Sequence, residues 1–356
     1  MNIYFAPLEG ITGYSYRNAH HRFFTGIDRY YTPFVAPNYT HHFKGKEKAD
    51  VAPENNAGLP LVPQILSNRA EDFLWAAGEL YDRGYREINL NLGCPMPTVV
   101  RKKRGSGQLA DLDALDRFLE EICEGMDRQY GLRTDTTDAV SDRGDAASGA
   151  EIYSNSTTAG SADEKVQEKE QGSLRFSVKT RIGVEDASNA VDLLKIYNRY
   201  PICELTVHPR TQKDMYKNTP DLDIFGMFLE ESVHPVVYNG DINSAEDLTA
   251  LQECFPKVDT VMIGRGLITN PALARELQGG DKLRKAELRS FHDTLYEEAV
   301  RTLPGAVPIL GRMKELWFYM GANFRNADRC LKEIRKSRNL VQYQAAVRTL
   351  FAQCEL

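Results

Sequence analysis

Along the first 280 residues the hydrophobic positions keep two rhythms by turns. Short apolar, β-prone runs recur at 3–7, 29–34, 61–66, 87–91, 176–181, 204–208, 236–239 and 260–263. Most give way to stretches in which apolar residues fall three or four apart, the spacing of one helix face. The clearest helical stretch follows Ser67, a predicted N-cap, and carries Ala70, Phe73, Leu74, Ala77, Leu80 and Tyr81 on one side. It is expected to stop at Gly84, since glycine readily adopts the left-handed turn that ends helices. Asp111 precedes a second such face (Leu112, Leu115, Leu119, Ile122) and Ser244 a third (Leu248, Leu251). Eight strands alternating with helices over roughly 250 residues predict a (β/α)8 TIM barrel, with an open doubly wound sheet as the alternative. Beyond residue 282 the strand signals cease. Leu288, Phe291, Leu295 and Ala299 form one helical stripe, Met313, Leu316, Trp317 and Met320 another, and Leu340, Tyr343, Val347 and Leu350 a third. Leu331 and Ile334 mark a shorter helix between them. The expected organisation is a barrel domain, 1–280, followed by a small C-terminal helical bundle, 281–356.

Residues 127–173 keep neither rhythm. They are rich in Ser, Thr, Gly, Asp and Ala and offer little to bury, which predicts a solvated, largely disordered insertion. Charge sharpens this division. Within 134–172 nine acids oppose three bases, so this segment alone carries a net −6, equal to that of the whole chain. Residues 281–356 hold fourteen Lys and Arg against nine Asp and Glu, a net +5 suited to a polyanion. The cations concentrate at Arg325, Arg329, Lys332, Arg335, Lys336 and Arg338, expected to meet phosphate. With 42% hydrophobic residues the chain can bury a sizeable core, yet no run approaches a membrane span. The N-terminus lacks a basic stretch and meets Glu9 too early for a secretory signal. The six cysteines form no CxxC pair and no metal spacing, so a cytoplasmic protein with reduced thiols and no metal is expected. Cys123, Cys203, Cys254, Cys330 and Cys354 read as small buried hydrophobes. The pairs His20-His21 and His41-His42 read as solvated surface, because neighbours on a strand face opposite sides.

Barrels carry their chemistry at the C-terminal ends of the strands. Those ends offer Ala6-Pro7-Leu8, Gln64, Asn91-Leu92-Gly93-Cys94-Pro95, Lys179-Thr180-Arg181, His208-Pro209-Arg210-Thr211, Asn239-Gly240-Asp241 and Gly264-Arg265-Gly266. Polar groups thus end strand after strand. Lys179 and Arg181 share one strand face, predicted to point inward, where two cations are costly unless an anion lies between them. The last two strands end in glycine turns, a common seat for phosphate on backbone N–H groups. Together these suggest a phosphorylated, electron-rich cofactor. GSGQLA at 105–110 mimics a dinucleotide fingerprint but follows the polar run RKKR (101–104) and not a strand, so it is set aside. RKKR itself fits either a solvated loop or a phosphate contact.

These segments resemble the tRNA-dihydrouridine synthases, flavoenzymes that reduce particular uridines of tRNA. The resemblance runs through APLEGIT (6–12), VPQIL (62–66), NLGCPMPTV (91–99), VKTRIG (178–183), TVHPRT (206–211), YNGDI (238–242) and MIGRG (262–266). It implies a barrel holding FMN, NADPH as reductant, and a helical domain gripping tRNA, with a monomer as the expected state. By the same resemblance Cys94 is the general acid and Asn91 faces the uracil. Lys179, His208 and Gln64 contact the flavin, with the backbone of Ala6 and Pro7 packed against its ring. Asn239, Gly240, Asp241, Gly264 and Arg265 fall in the phosphate and ribityl region. Arg181 and Tyr216 fall where the family contacts uracil. Chemically, reduction of the C5–C6 double bond needs hydride at C6 and a proton at C5, and a thiol is protonated at neutral pH without special tuning. The basic tail separates this reading from an FMN barrel acting on a small molecule, such as a dihydroorotate-type dehydrogenase. Intact Cys94, Lys179 and His208 separate it from a tRNA-binding module that has lost its activity.

Overall fold

Side-chain parity along the strands explains the architecture. The computed structural model describes residues 1–133 and 173–356. Its strands are β1 (Asn2–Phe5), β2 (Arg29–Tyr31), β3 (Leu61–Val62), β4 (Gln64–Ile65), β5 (Glu87–Leu92), β6 (Leu132–Arg133), β7 (Leu174–Arg181), β8 (Glu204–His208), β9 (Val236–Tyr238) and β10 (Thr260–Ile263). They pair in parallel in the order β3-β2-β1-β10-β9-β8-β7-β5-β4. β3 and β4 are two halves of one stave, interrupted at Pro63, which has no N–H to give a ladder. That stave meets β2 and the Val35–Ile65 bridge on one side and β5 on the other, closing an eight-stave barrel. Closure rules out the open doubly wound alternative. β6 pairs with the start of β7.

Because strand side chains alternate, one set faces out to the helices: Ile88, Leu90 and Leu92, Phe176 and Val178, Leu205 and Val207, Val261 and Ile263. Tyr4, Ala6, Tyr31, Val62, Val237 and Met262 form a separate, smaller cluster inside. Other inward positions are buried and polar, including Gln64, Asn89, Asn91, Ser177, Glu204, Thr206 and His208.

The outer layer comprises α1 (Tyr14–Phe23), α2 (Gly45–Asp50), α3 (Ala70–Asp82), α4 (Pro97–Val100), α5 (Leu112–Tyr130), α6 (Ala190–Tyr197), α7 (Leu222–Glu231), α8 (Ala245–Cys254), α9 (Arg265–Thr269) and α10 (Leu273–Leu277). Asp111 caps α5 by accepting the Ala114 N–H, and Ser244 caps α8 in a reciprocal box with Asp247. Gly84 follows α3 with φ +95°. Ser67 does not cap α3. Its hydroxyl bonds the N–H and C=O of Arg69, bracing the chain just before the helix starts at Ala70.

Four helices follow the barrel: α11 (Lys285–Thr302), α12 (Ala306–Met320), α13 (Asp328–Lys336) and α14 (Leu340–Gln353). Their predicted stripes are buried, apart from the half-buried Leu331 and Leu340, and belong to the same continuous apolar cluster as the barrel's outer layer. Phe291 of α11 lies edge-on to Tyr16 and Phe24. The six cations at 325–338 are all exposed.

Three further expectations change. Residues 127–133 belong to the end of α5 and to β6; the remainder of the expected insertion, 134–172, lies outside the described residues. His20 lies on α1 and is buried, with Nδ1 against the Tyr30 hydroxyl and Nε2 against the Pro271 carbonyl, both at 2.9 Å. Burial pushes its pKa down to about 3. Cys254 is exposed and not a core hydrophobe. Among the described residues no helix is long and apolar enough to cross a membrane, and no cluster of metal-ligating side chains occurs.

Candidate active site

One cavity of about 690 Å³ opens at the C-terminal ends of the strands. Every candidate residue lines it: Ala6 and Pro7 after β1, Gln64 on β4, Asn91 and Cys94 at the end of β5, Lys179 and Arg181 on β7, His208 on β8, Tyr216 beyond it, Asn239, Gly240 and Asp241 after β9, and Gly264 and Arg265 after β10.

A directional hydrogen-bond chain fixes the cysteine loop. Asn91 Oδ1 accepts the N–H groups of Gly93 and Cys94 at 3.1 and 2.9 Å, while its Nδ2 donates to Gln64 Oε1 at 2.6 Å. Gln64 Nε2 donates to Asn89 Oδ1, Asn89 Nδ2 to Ser177 Oγ, and Ser177 Oγ to Glu87 Oε1. A carboxylate only accepts, so the chain has one direction and each buried amide one orientation. Asn91 and Gln64 keep their remaining N–H groups for the cavity. At the barrel floor Glu87 pairs with Arg29 and Arg175. Glu204 beside it accepts from Tyr4 and Tyr31, and burial with the nearby Glu87 charge pushes its pKa up to about 7.

The far end of the cysteine loop closes on itself. Ser106 donates both its N–H and its hydroxyl to the Cys94 carbonyl. Gly105 sits at φ +57°, and a Cβ there would lie 2.8 Å from that same oxygen, so only glycine fits. The half-exposed Cys94 thiol is raised above the ordinary thiol pKa, chiefly by burial, and stays protonated at neutral pH.

Opposite stand the cations. Lys179 is half-buried, donates to Asn239 Oδ1 and pairs with no carboxylate among the described residues. Burial and the neighbouring Arg181 push its pKa down to about 7. Arg181 bonds the carbonyls of Gly93, Thr211 and Met215 at 2.7–2.9 Å, so it ties the cysteine loop to the loop after β8. Tyr216 lies between Arg181 and Arg265, whose guanidinium carbons stand 5.4 and 4.8 Å from its ring centre. His208 is held neutral by burial and by Arg181, Lys179, Arg210 and Arg265. Its Nε2 faces an Arg210 N–H at 3.1 Å, which places its own proton on Nδ1. Arg210 and Arg265 both grip Asp241, cancelling its charge beside the glycine turns.

Sequence reasoning gave no role to Arg210 or to three residues of α12. Arg210 lies within the TVHPRT segment, buried, and holds both Asp241 and His208. Glu315, Phe318 and Tyr319 reach the cavity from α12, behind the barrel in sequence. The only signal was that Phe318 falls outside the apolar stripe of its helix. The RKKR run also divides: Arg104 is half-buried and bonds Asn68, while Arg101, Lys102 and Lys103 are exposed.

A closed parallel barrel with polar groups from successive strand ends gathered at its mouth is the layout of a (β/α)8-barrel enzyme. Residues 4–138 and 141–355 match the model of the dihydrouridine synthase (Dus) family, and the chain belongs to that family. It is 24% identical over 277 residues to tRNA-dihydrouridine synthase B of Pasteurella multocida, covering 78% of this chain and 68% of that protein. It is 23% identical over 347 residues to a tRNA-dihydrouridine(16) synthase of Pseudomonas syringae, covering 94% and 95%. A probable tRNA-dihydrouridine synthase of Staphylococcus epidermidis is 27% identical over 245 residues, and the match spans only 60% of that protein's length.

Proposed function

We propose that this chain is an FMN-dependent, NADPH-driven reductase that converts particular uridines of tRNA to dihydrouridine in the cytoplasm. The observation that carries the reading is a protonated Cys94 thiol opening onto the same cavity as Lys179, a half-buried cation with no carboxylate partner among the described residues. The residues present fit a flavin mononucleotide. The cavity volume is within the range of ligand sites, roughly 300–1,000 Å³. Lys179 offers an ammonium to an electron-rich ring edge. Arg265, with the first amides of α9, offers a phosphate seat beside Asp241, a carboxylate already neutralised by two guanidinium groups.

When bound, the flavin supplies the hydride for uracil C6. The chain does the rest. Cys94 holds the proton that C5 requires, and a thiol pKa above neutrality keeps that proton in place until C5 carries electron density. The spare N–H of Asn91 is a fixed donor for a uracil carbonyl, its orientation set by the chain of amides beneath it. Arg181 holds the cysteine loop against the loop carrying Tyr216. Outside the cavity, the exposed cations of α13 and of residues 101–103 suit the phosphate backbone of a folded RNA. The test is dihydrouridine content, by nucleoside mass spectrometry, in unmodified tRNA incubated with the protein and NADPH. Wild type is expected to form it and Cys94→Ala to lose nearly all of it. NADPH oxidation through a bound flavin with no change in any tRNA base would favour a small-molecule substrate instead.

A further inference from the structure

The lip of the cavity carries a largely exposed aromatic ring. Phe318 of α12 is 79% exposed, although its helix neighbours Leu316, Trp317 and Met320 are buried. Scattered exposed hydrophobes need no explanation, but this one has company. Met96 and Tyr216, at 48% and 49%, line the same opening. The two exposed aromatics differ in what they have left to offer. Tyr216 already lies against two guanidinium groups. The one ring partner of Phe318 among the described residues is Tyr319, at 5.1 Å and 87°, and with the side chain so exposed most of the Phe318 ring surface stays open to solvent.

Accepting the tRNA reading above, we infer that Phe318 is a stacking platform for a nucleobase next to the uridine that enters the cavity. A strand that delivers one base into a barrel mouth continues past the lip, and the neighbouring bases lose a stacking partner when that base is splayed out. An exposed aromatic replaces such a partner with little regard to sequence. Charge says which side of the strand meets this helix. The exposed positions of α12 include Val307, Gly311, Glu315 and Phe318, while its two basic residues, Arg312 and Lys314, are half-buried and bonded to the Ile11 and Ser337 carbonyls, so this face presents no exposed cation to phosphate. Exposed Arg101, Lys102 and Lys103, on the loop that follows Cys94, attract it. Bases therefore turn toward α12 and backbone toward that loop. Phe318 belongs to substrate recognition and not to the reacting centre.

The experiment compares wild type, Phe318→Ala and Phe318→Trp as full-length chains with bound flavin. Dihydrouridine formation gives kcat/KM for unmodified tRNA, and NADPH oxidation without tRNA is followed separately. Alanine is expected to lower kcat/KM for tRNA about tenfold or more while leaving NADPH oxidation unchanged, and tryptophan to recover most of the loss. A second readout uses 2-aminopurine placed on either side of the reduced uridine. Its fluorescence should be quenched on binding to wild type and less so with Phe318→Ala. An alanine variant within twofold of wild type for tRNA overturns the inference, as does an equal loss in NADPH oxidation, which would assign the ring to the reductant. A wild-type protein that forms no dihydrouridine removes the enzymatic reading itself, a result distinct from either.

Discussion

Lys179→Met removes an ammonium from the cavity while keeping the length of the side chain. In the cofactor-free protein Lys179 carries a pKa lowered from 10.5 to about 7. The unfolded chain therefore binds more protons than the folded one between those values, and stability rises with pH across that window. The penalty is full below pH 7 and gone above about 10.5. At about 1.4 kcal/mol per pH unit its ceiling is about 5 kcal/mol, and water entering an open cavity screens this to about 2–3 kcal/mol. Methionine also strands Asn239 Oδ1, which loses its ammonium donor at a cost of about 1 kcal/mol. The net expectation is a flavin-free variant about 1–2 kcal/mol more stable than wild type at pH 6.5, with the advantage gone by pH 10. Urea denaturation at both pH values reads this directly. Flavin affinity should move the opposite way, because wild-type Lys179 regains its proton against the electron-rich ring edge and the variant has no donor to offer there. Calorimetry at pH 8.5 in buffers of differing ionisation enthalpy should then show proton uptake on flavin binding by wild type only. Equal stability of the two proteins at pH 6.5, with matching pH slopes, would refute the assignment of Lys179 as a strained cation awaiting an anion.

Because the Cys94 thiol is raised above the ordinary range, its acid form should sustain dihydrouridine formation unchanged from pH 6 to 8. The single-turnover rate should fall only at pH above the ordinary thiol range, and a decline centred near 7 would contradict it. Gly105→Ala places a Cβ against the Cys94 carbonyl at a left-handed φ, so it should cost about 1–3 kcal/mol of stability by thermal unfolding and lower kcat more than flavin affinity. Replacing Arg329, Lys332 and Arg335 on α13 by glutamine should weaken tRNA binding. It should also reduce the slope of log K against log salt by about 0.7–0.9 for each phosphate no longer neutralised, with NADPH oxidation untouched.

How much of this was legible in the chain divides by the range of the interaction that decides each feature. Parity is local, so Lys179 and Arg181 could be placed together on the inward face of β7, and the bounds of β8 and β10 could be read directly. Caps are nearly local: Asp111 and Ser244 behave as expected, while Ser67 fails because its hydroxyl bonds the Arg69 backbone and delays the helix. Burial of His20 depends on the Pro271 carbonyl, 251 residues away, and nothing in a His-His pair announces that partner. The run 61–66 reads as one strand and is in fact split at Pro63, because a residue without N–H interrupts a ladder wherever it falls.

The chain of amides under Cys94 marks where a set of motif residues stops short of the mechanism. Gln64 and Asn91 were found because they end strands at the mouth. Asn89, Ser177 and Glu87 were not, because they lie deeper on the same strand faces and look like ordinary polar alternation. Yet they reinforce what Asn91 presents, an orientation the Gly93 and Cys94 N–H groups already require. With Glu87 as terminal acceptor, every donor above it is oriented downward, so Asn91 Oδ1 is committed to the amides of Gly93 and Cys94 and only an N–H remains for the cavity. A donor at that position suits a uracil carbonyl, and a reversed amide would present an oxygen and repel it. On the function proposed above, what Asn91 offers a substrate is thus supported from the floor of the barrel, by a carboxylate outside the lining of the cavity.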